Sequence, residues 1–514
     1  MSRRALDPVT LSVLASALGG IAEEMGSVLI RSAYSSNIKE RRDCSTALFD
    51  ARGRMVVQAE HIPVHLGAMP EAVAAVMSRD PRPGDVFAIN DPYSGGTHLP
   101  DITLVSPISH GESVIGYGVT RAHHSDVGGN RPGSMPSDSR EIYQEGLIIP
   151  PVRLVEGWEP VSDVLDLILA NVRTPAIRRG DLRAQIAANR LAQERTAELI
   201  DRRGLETVLA AFDEVIAYAE RRTRECIRQL ADGVYSAESE IEGDGTNPDD
   251  ILIRVTVTIS ADTVLMDFQG TAGAAAGNVN CPLSVTRSAC YFALKVLLPA
   301  DVPANAGSQA PITVLAPEGC LVNARRPSAV VAGNVETSQR LADTVLLALG
   351  QAADVPAQGQ GTMNVVVIGG SEWTYVETLG GGQGASRLGP GPSGVHVGMS
   401  NTLNTPIEAL ELEYPIRVER YELAYGSGGA GKHRGGDGIV RALRVLEPAT
   451  LSLLTDRRRH APAGAHGGED GRPGRNLLGD ETLPAKVSRA LEPGDLVTVN
   501  TPGGGGWGRV EGSA

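Results

Sequence analysis

The chain has 514 residues, with 47 Lys and Arg against 61 Asp and Glu and a formal net charge of −14. That length exceeds one ordinary core and predicts two or three domains. The acidic balance argues against a nucleic-acid partner, because neutralising phosphates requires clustered Lys and Arg, and the one basic run, Asp456-Arg-Arg-Arg-His460, reads as a solvated turn. The 60 glycines and the low aromatic content of 4% point to loop-rich, tightly turned structure rather than long helical bundles. Five cysteines without a C-x-x-C pair make a poor disulfide framework and predict a reducing compartment. No signal-peptide pattern and no apolar run of membrane-spanning length stand out, so a soluble cytoplasmic protein is expected.

In chain order, Asp7-Pro8 precedes Leu11, Leu14, Leu18, Ile21, Met25 and Leu29, a helical stripe with a capping Asp and a first-turn Pro. A charged cluster, Glu40 to Asp43, then leads into a short strand ending near Phe49, an Asp-Ala-Arg-Gly turn, and a strand at Met55–Val57. Ala72, Val73, Val76 and Met77 fit a short helix, closed by Pro81-Arg-Pro-Gly84. Asp85–Asn90 reads as a buried strand running into Asp91-Pro-Tyr-Ser-Gly-Gly-Thr-His98-Leu-Pro-Asp101. Ile102–Pro107 and Val114–Val119 are two more strands, and the second delivers Ala122-His123-His124-Ser-Asp126-Val-Gly-Gly129. Residues 133–154 read as a long irregular loop, with a lid among its possible roles. From Asp181 to about Asp232 the pattern is helical, broken at Arg202-Arg-Gly204, with Val208, Phe212, Val215 and Ala219 on one face.

Composition shifts near Gly243, which sets an expected boundary between domains 1–242 and 243–514. The first would be a metal-binding catalytic domain ending in helices, the second an α+β region with Gly-rich C-terminal strands. Strict alternation in Ile253–Ile259, a turn, and Val264–Phe268 predict an antiparallel hairpin. Helices are expected over 284–297 and 336–349. The tail Pro502-Gly-Gly-Gly-Gly-Trp-Gly508 reads as flexible or tightly turned. The fold class is α+β: mixed sheets with packed helices.

Two His-x-x-Asp pairs, His98/Asp101 and His123/Asp126, stand in Gly-rich segments at consecutive strand ends, where loops supply reach and the sheet fixes geometry. Imidazole plus carboxylate suits Zn, Mn or Fe at a hydrolytic or Lewis-acid centre. The plain alternative is that these are polar loop residues satisfying backbone groups. Glu40, Asp43 and Asp91 are candidates for a further ligand or a general base, and His61 and His65 for ligand orientation or substrate contact. Gly426-Ser-Gly-Gly-Ala-Gly-Lys432-His433 approaches a phosphate loop but lacks the hydroxyl residue after Lys, so a Gly-rich hairpin is expected. There is no G-x-S-x-G elbow to support a serine hydrolase.

His61–Met69, Asn90–Ile102, Ala122–Gly129 and Pro132–Pro136 together resemble the hydantoinase B / oxoprolinase family. The likeness continues through Gly333–Gln339, Gln360–Asn364, Asn404–Glu408 and Gly428–Gly436, nearly the whole chain. The family includes the B-type component of ATP-dependent N-methylhydantoinase, half of 5-oxoprolinase, and acetone and acetophenone carboxylase large subunits. The resemblance implies a hydantoinase A-type partner that binds ATP and activates a cyclic amide, while this chain carries a divalent metal, Zn or Mn, and completes hydrolysis. It implies His98, Asp101 and His123 as ligands, an upstream acid, with Glu40 the chosen position, as a fourth, and His124 and Asp126 as proton-shuttling or orienting catalytic residues. A ketone carboxylase subunit is the runner-up, and a non-catalytic assembly subunit the reading from another class.

Overall fold

The computed structural model describes residues 6–60 and 62–510. Asp7 Oδ1 accepts the N–H groups of Val9 and Thr10 at 3.1 and 3.0 Å and so starts helix α1 (Pro8–Ser32) where the sequence predicts. By length and composition α1 is apolar enough to cross a membrane, contrary to expectation. Its stripe of Leu14, Leu18, Met25 and Leu29 is buried in one core with Ala188 and Ala192 of α2 (Pro175–Arg203) and Phe212 and Val215 of α3 (Leu205–Ile227). Gly204, at φ 83°, separates α2 from α3 in a backbone conformation that favours glycine. Pro175, at the first turn of α2, starts that helix earlier than the periodicity predicts.

Under these helices lies a seven-stranded antiparallel sheet. Its strands are β1 (Cys44–Asp50), β2 (Met55–Glu60), β3 (Val86–Ile89), β4 (Asp101–His110), β5 (Ser113–His123), β6 (Val152–Glu156) and β7 (Glu159–Pro160), in the order β2-β1-β5-β4-β3-β6-β7. Every residue of β1 and β3 is buried, since the sheet is covered on both faces. β6 corrects the expectation of an irregular stretch over 133–154: its end pairs with β3, Val152 opposite Ala88. The rest of that stretch is pinned, Ile149 donating to Asn90 Oδ1 at 2.6 Å and the Glu145 carboxylate accepting from Val330 and Val331 N–H at 3.1 Å.

The expected hairpin forms from Asp250–Ser260 and Thr263–Asp267, with Gly233–Glu242 as an outer strand and Ile312–Leu315 parallel at the other edge. The position after Glu242, expected as a domain boundary, is therefore the turn between two paired strands. The predicted helices appear as Leu283–Lys295 and Ser338–Leu349. The latter starts two residues late because Gly333–Thr337 winds as a wider π turn. A four-stranded and a five-stranded sheet complete the C-terminal third.

The glycine-rich tail is neither flexible nor a simple turn. Gly503 to Gly506 run buried between other extended segments. A Cβ on each would stand 2.0, 2.1, 2.2 and 2.1 Å from the carbonyl oxygens of Ser427, Gln383, Ala463 and Ala430. Their N–H groups donate outward in turn to the carbonyls of Arg472, Gly436, Gln358 and Glu469. Backbone thus packs directly on backbone, and only glycine leaves room for it. The Gly426–Gly436 loop belongs to this packing, with Gly429 N donating to Gly504 O at 2.9 Å and strand rather than helix following at Gly438. Gly504→Ala is expected to lower the melting temperature or abolish soluble expression, by overpacking worth about 1–3 kcal/mol or more; thermal unfolding beside an exposed control with open space for a Cβ, Gly273→Ala, measures it.

Candidate metal centre

The β4–β5 register sets Asp101 directly opposite His123, and opposed residues of an antiparallel pair share one face. β1 continues the row: Cys44 pairs with Ala122, and His123 N donates to Asp43 O at 3.0 Å. Asp43, His123 and Asp101 therefore end three adjacent strands side by side. His98 reaches the row from the loop before β4. That loop folds tightly: a Cβ on Gly95 would lie 2.3 Å from Ala72 N, and one on Gly96 2.3 Å from Asn90 O. Asn90 Nδ2 ties the loop down through Leu99 O and Leu147 O at 2.8 and 2.9 Å, while Arg326 holds Asp91 Oδ2 at 2.7 Å.

The result is a converging donor set. His98 Nε2 lies 3.1 Å from Asp101 Oδ1, His123 Nδ1 lies 3.2 Å from the same oxygen, and the two nitrogens are 3.2 Å apart. Ligand atoms around one ion with bonds near 2.1 Å stand roughly 3 Å apart, so the three atoms have the spacing of a shared cation site. The outer nitrogens, His98 Nδ1 and His123 Nε2, are buried without hydrogen-bond partners. Asp101 is anchored through its other oxygen by Thr97 Oγ1, with His65 Nε2 at 3.6 Å and His65 Nδ1 in turn 2.9 Å from Ser45 Oγ. Burial opposes the charge on Asp101, but His98 and the hydrogen bonds from His123, His65 and His98 outweigh it and hold the carboxyl well below its usual range.

The surrounding cavity, about 30 Å³, is lined also by Arg41, Asp43, Asn334, Met363, Thr378, Ser400 and Thr402. Arg41 is fully buried, donating to Val376 O at 2.6 Å and Thr378 Oγ1 at 2.9 Å, and stands 3.8 Å from Asp43. Asn334, in the π turn, keeps its buried Oδ1 without a partner. Sequence reasoning left these C-terminal residues out of the site: their motifs carried the family likeness but no ligand spacing. An asparagine inside a stretch as apolar as Ala329–Val335, with Glu336 directly after it, was the available signal.

The other expected site residues lie apart from the cavity. Glu40 caps the short helix Ser36–Lys39, close enough to Glu413 to repel its charge, and does not line the cavity, whereas Asp43, beside His123 on the neighbouring strand, does. His124 follows His123 on the strand, so its side chain turns to the opposite face, where Nε2 meets Gln185 Oε1 of α2 at 2.9 Å. Burial, then Arg178, pushes it down to about 4, leaving it neutral. Asp126 accepts from Gly128 N, Gly133 N and Arg173 at 2.9–3.1 Å and braces the glycine loop. Asp91 serves the loop through Tyr93 N and Arg326. His61 lies outside the described residues. A second His-carboxylate group, Glu240, Asp250 and His460, is exposed, and Arg459 already binds Asp250 at 2.6 Å.

The sequence model of the hydantoinase B/oxoprolinase family matches residues 7–510. The chain belongs to this family. It is 38% identical over 538 residues to 5-oxoprolinase 1 of Arabidopsis thaliana, covering 99% of the chain and 42% of that protein. It is 35% identical to a Pseudomonas protein named as the B-type subunit of a D-/L-hydantoinase, with 98% and 90% covered. Thus the chain spans about two fifths of the oxoprolinase but nearly all of the hydantoinase subunit. Among solved structures, an ATP-dependent caprolactamase from Pseudomonas jessenii superposes with a TM-score of 0.92 at 31% identity, over 98% of this chain and 92% of that one.

Two outcomes are expected. Metal analysis of purified protein gives a stoichiometric divalent ion that His98→Ala and Asp101→Asn abolish and Glu40→Ala retains, while Asp43→Asn weakens affinity about 10–100-fold. Separately, Glu336, buried behind the cavity, is pushed up to about 8 by burial and by Asp456. Its folded form keeps a proton that the unfolded form has lost, so it costs stability as pH rises from its ordinary carboxyl range towards 8. Glu336→Gln should therefore raise the melting temperature increasingly from pH 5 to pH 8.5, which a thermal-shift series reads directly.

Proposed function

We propose that this chain is the B-type subunit of an ATP-dependent cyclic-amide hydrolase acting on a hydantoin, 5-oxoproline or a similar lactam. The observation that carries the reading is the convergence of His98 Nε2, Asp101 Oδ1 and His123 Nδ1 on one small buried cavity. A divalent ion held there, Zn or Mn, supplies Lewis acidity to a water or carbonyl oxygen beside it. His65 and Thr97 keep Asp101 oriented so that one oxygen faces the donor set. Arg41, already tied to Val376 and Thr378, holds positive charge beside Asp43 without a free fork to clamp a phosphate. Asn334 Oδ1 offers an acceptor for a water, and the apolar neighbours Ile62, Val64, Met135 and Val335 keep bulk water out. In this reading His124 and Asp126 act as positioning residues behind the strand ends rather than as proton carriers.

ATP is assigned to a hydantoinase A-type partner subunit. In its support, the N–H groups of Gly429, Lys432, His433, Gly435 and Gly436 donate to neighbouring carbonyls and that of Gly428 to the Asp437 carboxylate rather than cradling a phosphate; the Pseudomonas relative is named as a subunit, and the caprolactamase is described as ATP-dependent. We place the complex in the cytoplasm, in keeping with five free cysteines. The test is co-expression with a hydantoinase A-type protein, followed by ADP release and ring opening with hydantoin and 5-oxoproline. Turnover is expected only with both chains present and should fall at least about 100-fold in His123→Ala. Undiminished turnover in that variant sinks the reading, and ADP release that depends on bicarbonate replaces it with the ketone carboxylase.

A further inference from the structure

The cavity around the donor set has room for a water, not for a ring. A second cavity, about 270 Å³, adjoins it and shares Ser400 in its wall. Phe292, Val296, Leu346, Val355 and Val397 make most of its lining apolar. Among the described lining residues none is Lys or Arg, and the one carboxylate, Asp343, is already held by Arg457 at 2.7 Å. This cleft, whose outer wall at Val296 and Leu347 is exposed, accepts hydrocarbon and offers no cation to a carboxylate drawn in along the apolar wall, where loss of water without a partner is costly.

The wall between the two cavities is a hydrogen-bonded chain. Arg41 Nη2 donates to Thr378 Oγ1 at 2.9 Å, Thr378 and Thr402 hydroxyls are 2.6 Å apart, Thr402 Oγ1 is 3.3 Å from His396 Nε2, and His396 Nδ1 is 2.5 Å from Ser400 Oγ. Arginine can only donate, and a neutral imidazole offers one donor and one acceptor. Burial, then Arg41, pushes His396 down to about 3, so it is neutral. The polarity in which each threonine hydrogen finds its partner along the chain runs from Arg41 through Thr378 and Thr402 to an accepting Nε2. Nδ1–H then donates to Ser400, whose own hydroxyl hydrogen is left for a group in the wall.

We propose that this second cavity is the subsite for the aliphatic part of an uncharged cyclic amide, and that Ser400 donates to the ring's carbonyl oxygen at the wall with the donor set. The inference rests on the cyclic-amide reading above and narrows it: an alkyl-substituted hydantoin or an unsubstituted lactam fits, and 5-oxoproline, with its carboxylate, does not. His396, Thr402 and Thr378 are positioning residues that fix the direction of the Ser400 hydroxyl.

Calorimetry on the full chain with 5-isopropylhydantoin, hydantoin and 5-oxoproline tests it, with circular dichroism to verify each variant's fold. The substituted hydantoin should bind tightest and 5-oxoproline weakest. Ala342→Leu, or Val355→Phe at a less buried position should the first not fold, fills the cavity and should lower the affinity ratio of 5-isopropylhydantoin over hydantoin by about tenfold. Ser400→Ala should weaken both hydantoins together and Ser400→Thr restore them. Tighter binding of 5-oxoproline, or an unchanged ratio in the cavity variants, overturns the subsite. Turnover with the ATP-binding partner is scored separately: discriminating binding without turnover keeps the subsite and removes the hydrolase reading, turnover with an unchanged ratio does the reverse, and no binding and no turnover of any ring overturns both.

Discussion

The site depends on one register. With Asp101 opposite His123, and Asp43 beside His123 at the end of the next strand, one row of the sheet carries two carboxylates and an imidazole on a single face. A slip of one residue would turn that row to the helix side and bring His124 in its place, because side chains alternate along a strand. The register is held from both faces. Apolar residues of β4 and β5 lie in cores above and below the sheet, and Gln185 of α2 donates to Ile102 O while meeting His124 from behind. The buried, neutral His124 thus helps fix which of two adjacent histidines faces the donor set.

The other wall of the site comes from the far half of the sequence. The π turn at Gly333–Thr337 presents Asn334 and Val335, and the segment after the Val365–Gly369 and Thr374–Glu377 strands brings Thr378, Ser400 and Thr402. Two kinds of rigidity support that wall. Glycine segments pack backbone against backbone, so they give way little without breaking contacts. Beneath them run buried ion pairs, Arg441 with Glu377 and Arg340 and Lys486 with Asp456, each hydrogen-bonded. Such pairs contribute little net stability after desolvation, but removing one partner leaves a buried charge, which resists rearrangement.

Much of the local structure was legible in the sequence. The Asp7-Pro8 start, the break at Gly204, the hairpin at 250–267 and the helices Leu283–Lys295 and Ser338–Leu349 follow from caps, glycine and periodicity, which act over a few residues. The His98, Asp101 and His123 cluster was legible too, because consecutive strands with a tight turn make an antiparallel pair and bring their open ends together. Glu40 and Asp43 could not be separated by sequence position. The strand row that turns Asp43 to the cavity is set by pairing with β5, some 80 residues away in the chain.

What the sequence by itself determined, then, is the set of local elements, the α+β class, family membership through its ordered motifs, and the grouping of His98, Asp101 and His123 at neighbouring strand ends. Tertiary structure alone decided which face each histidine takes, that the glycine tail is buried framework, and that Asn334, Thr378, Ser400 and Thr402 close the site. The reason is physical: capping and periodicity are properties of neighbouring residues, whereas face, burial and the direction of a hydroxyl depend on groups hundreds of residues distant that meet only when the sheets pack.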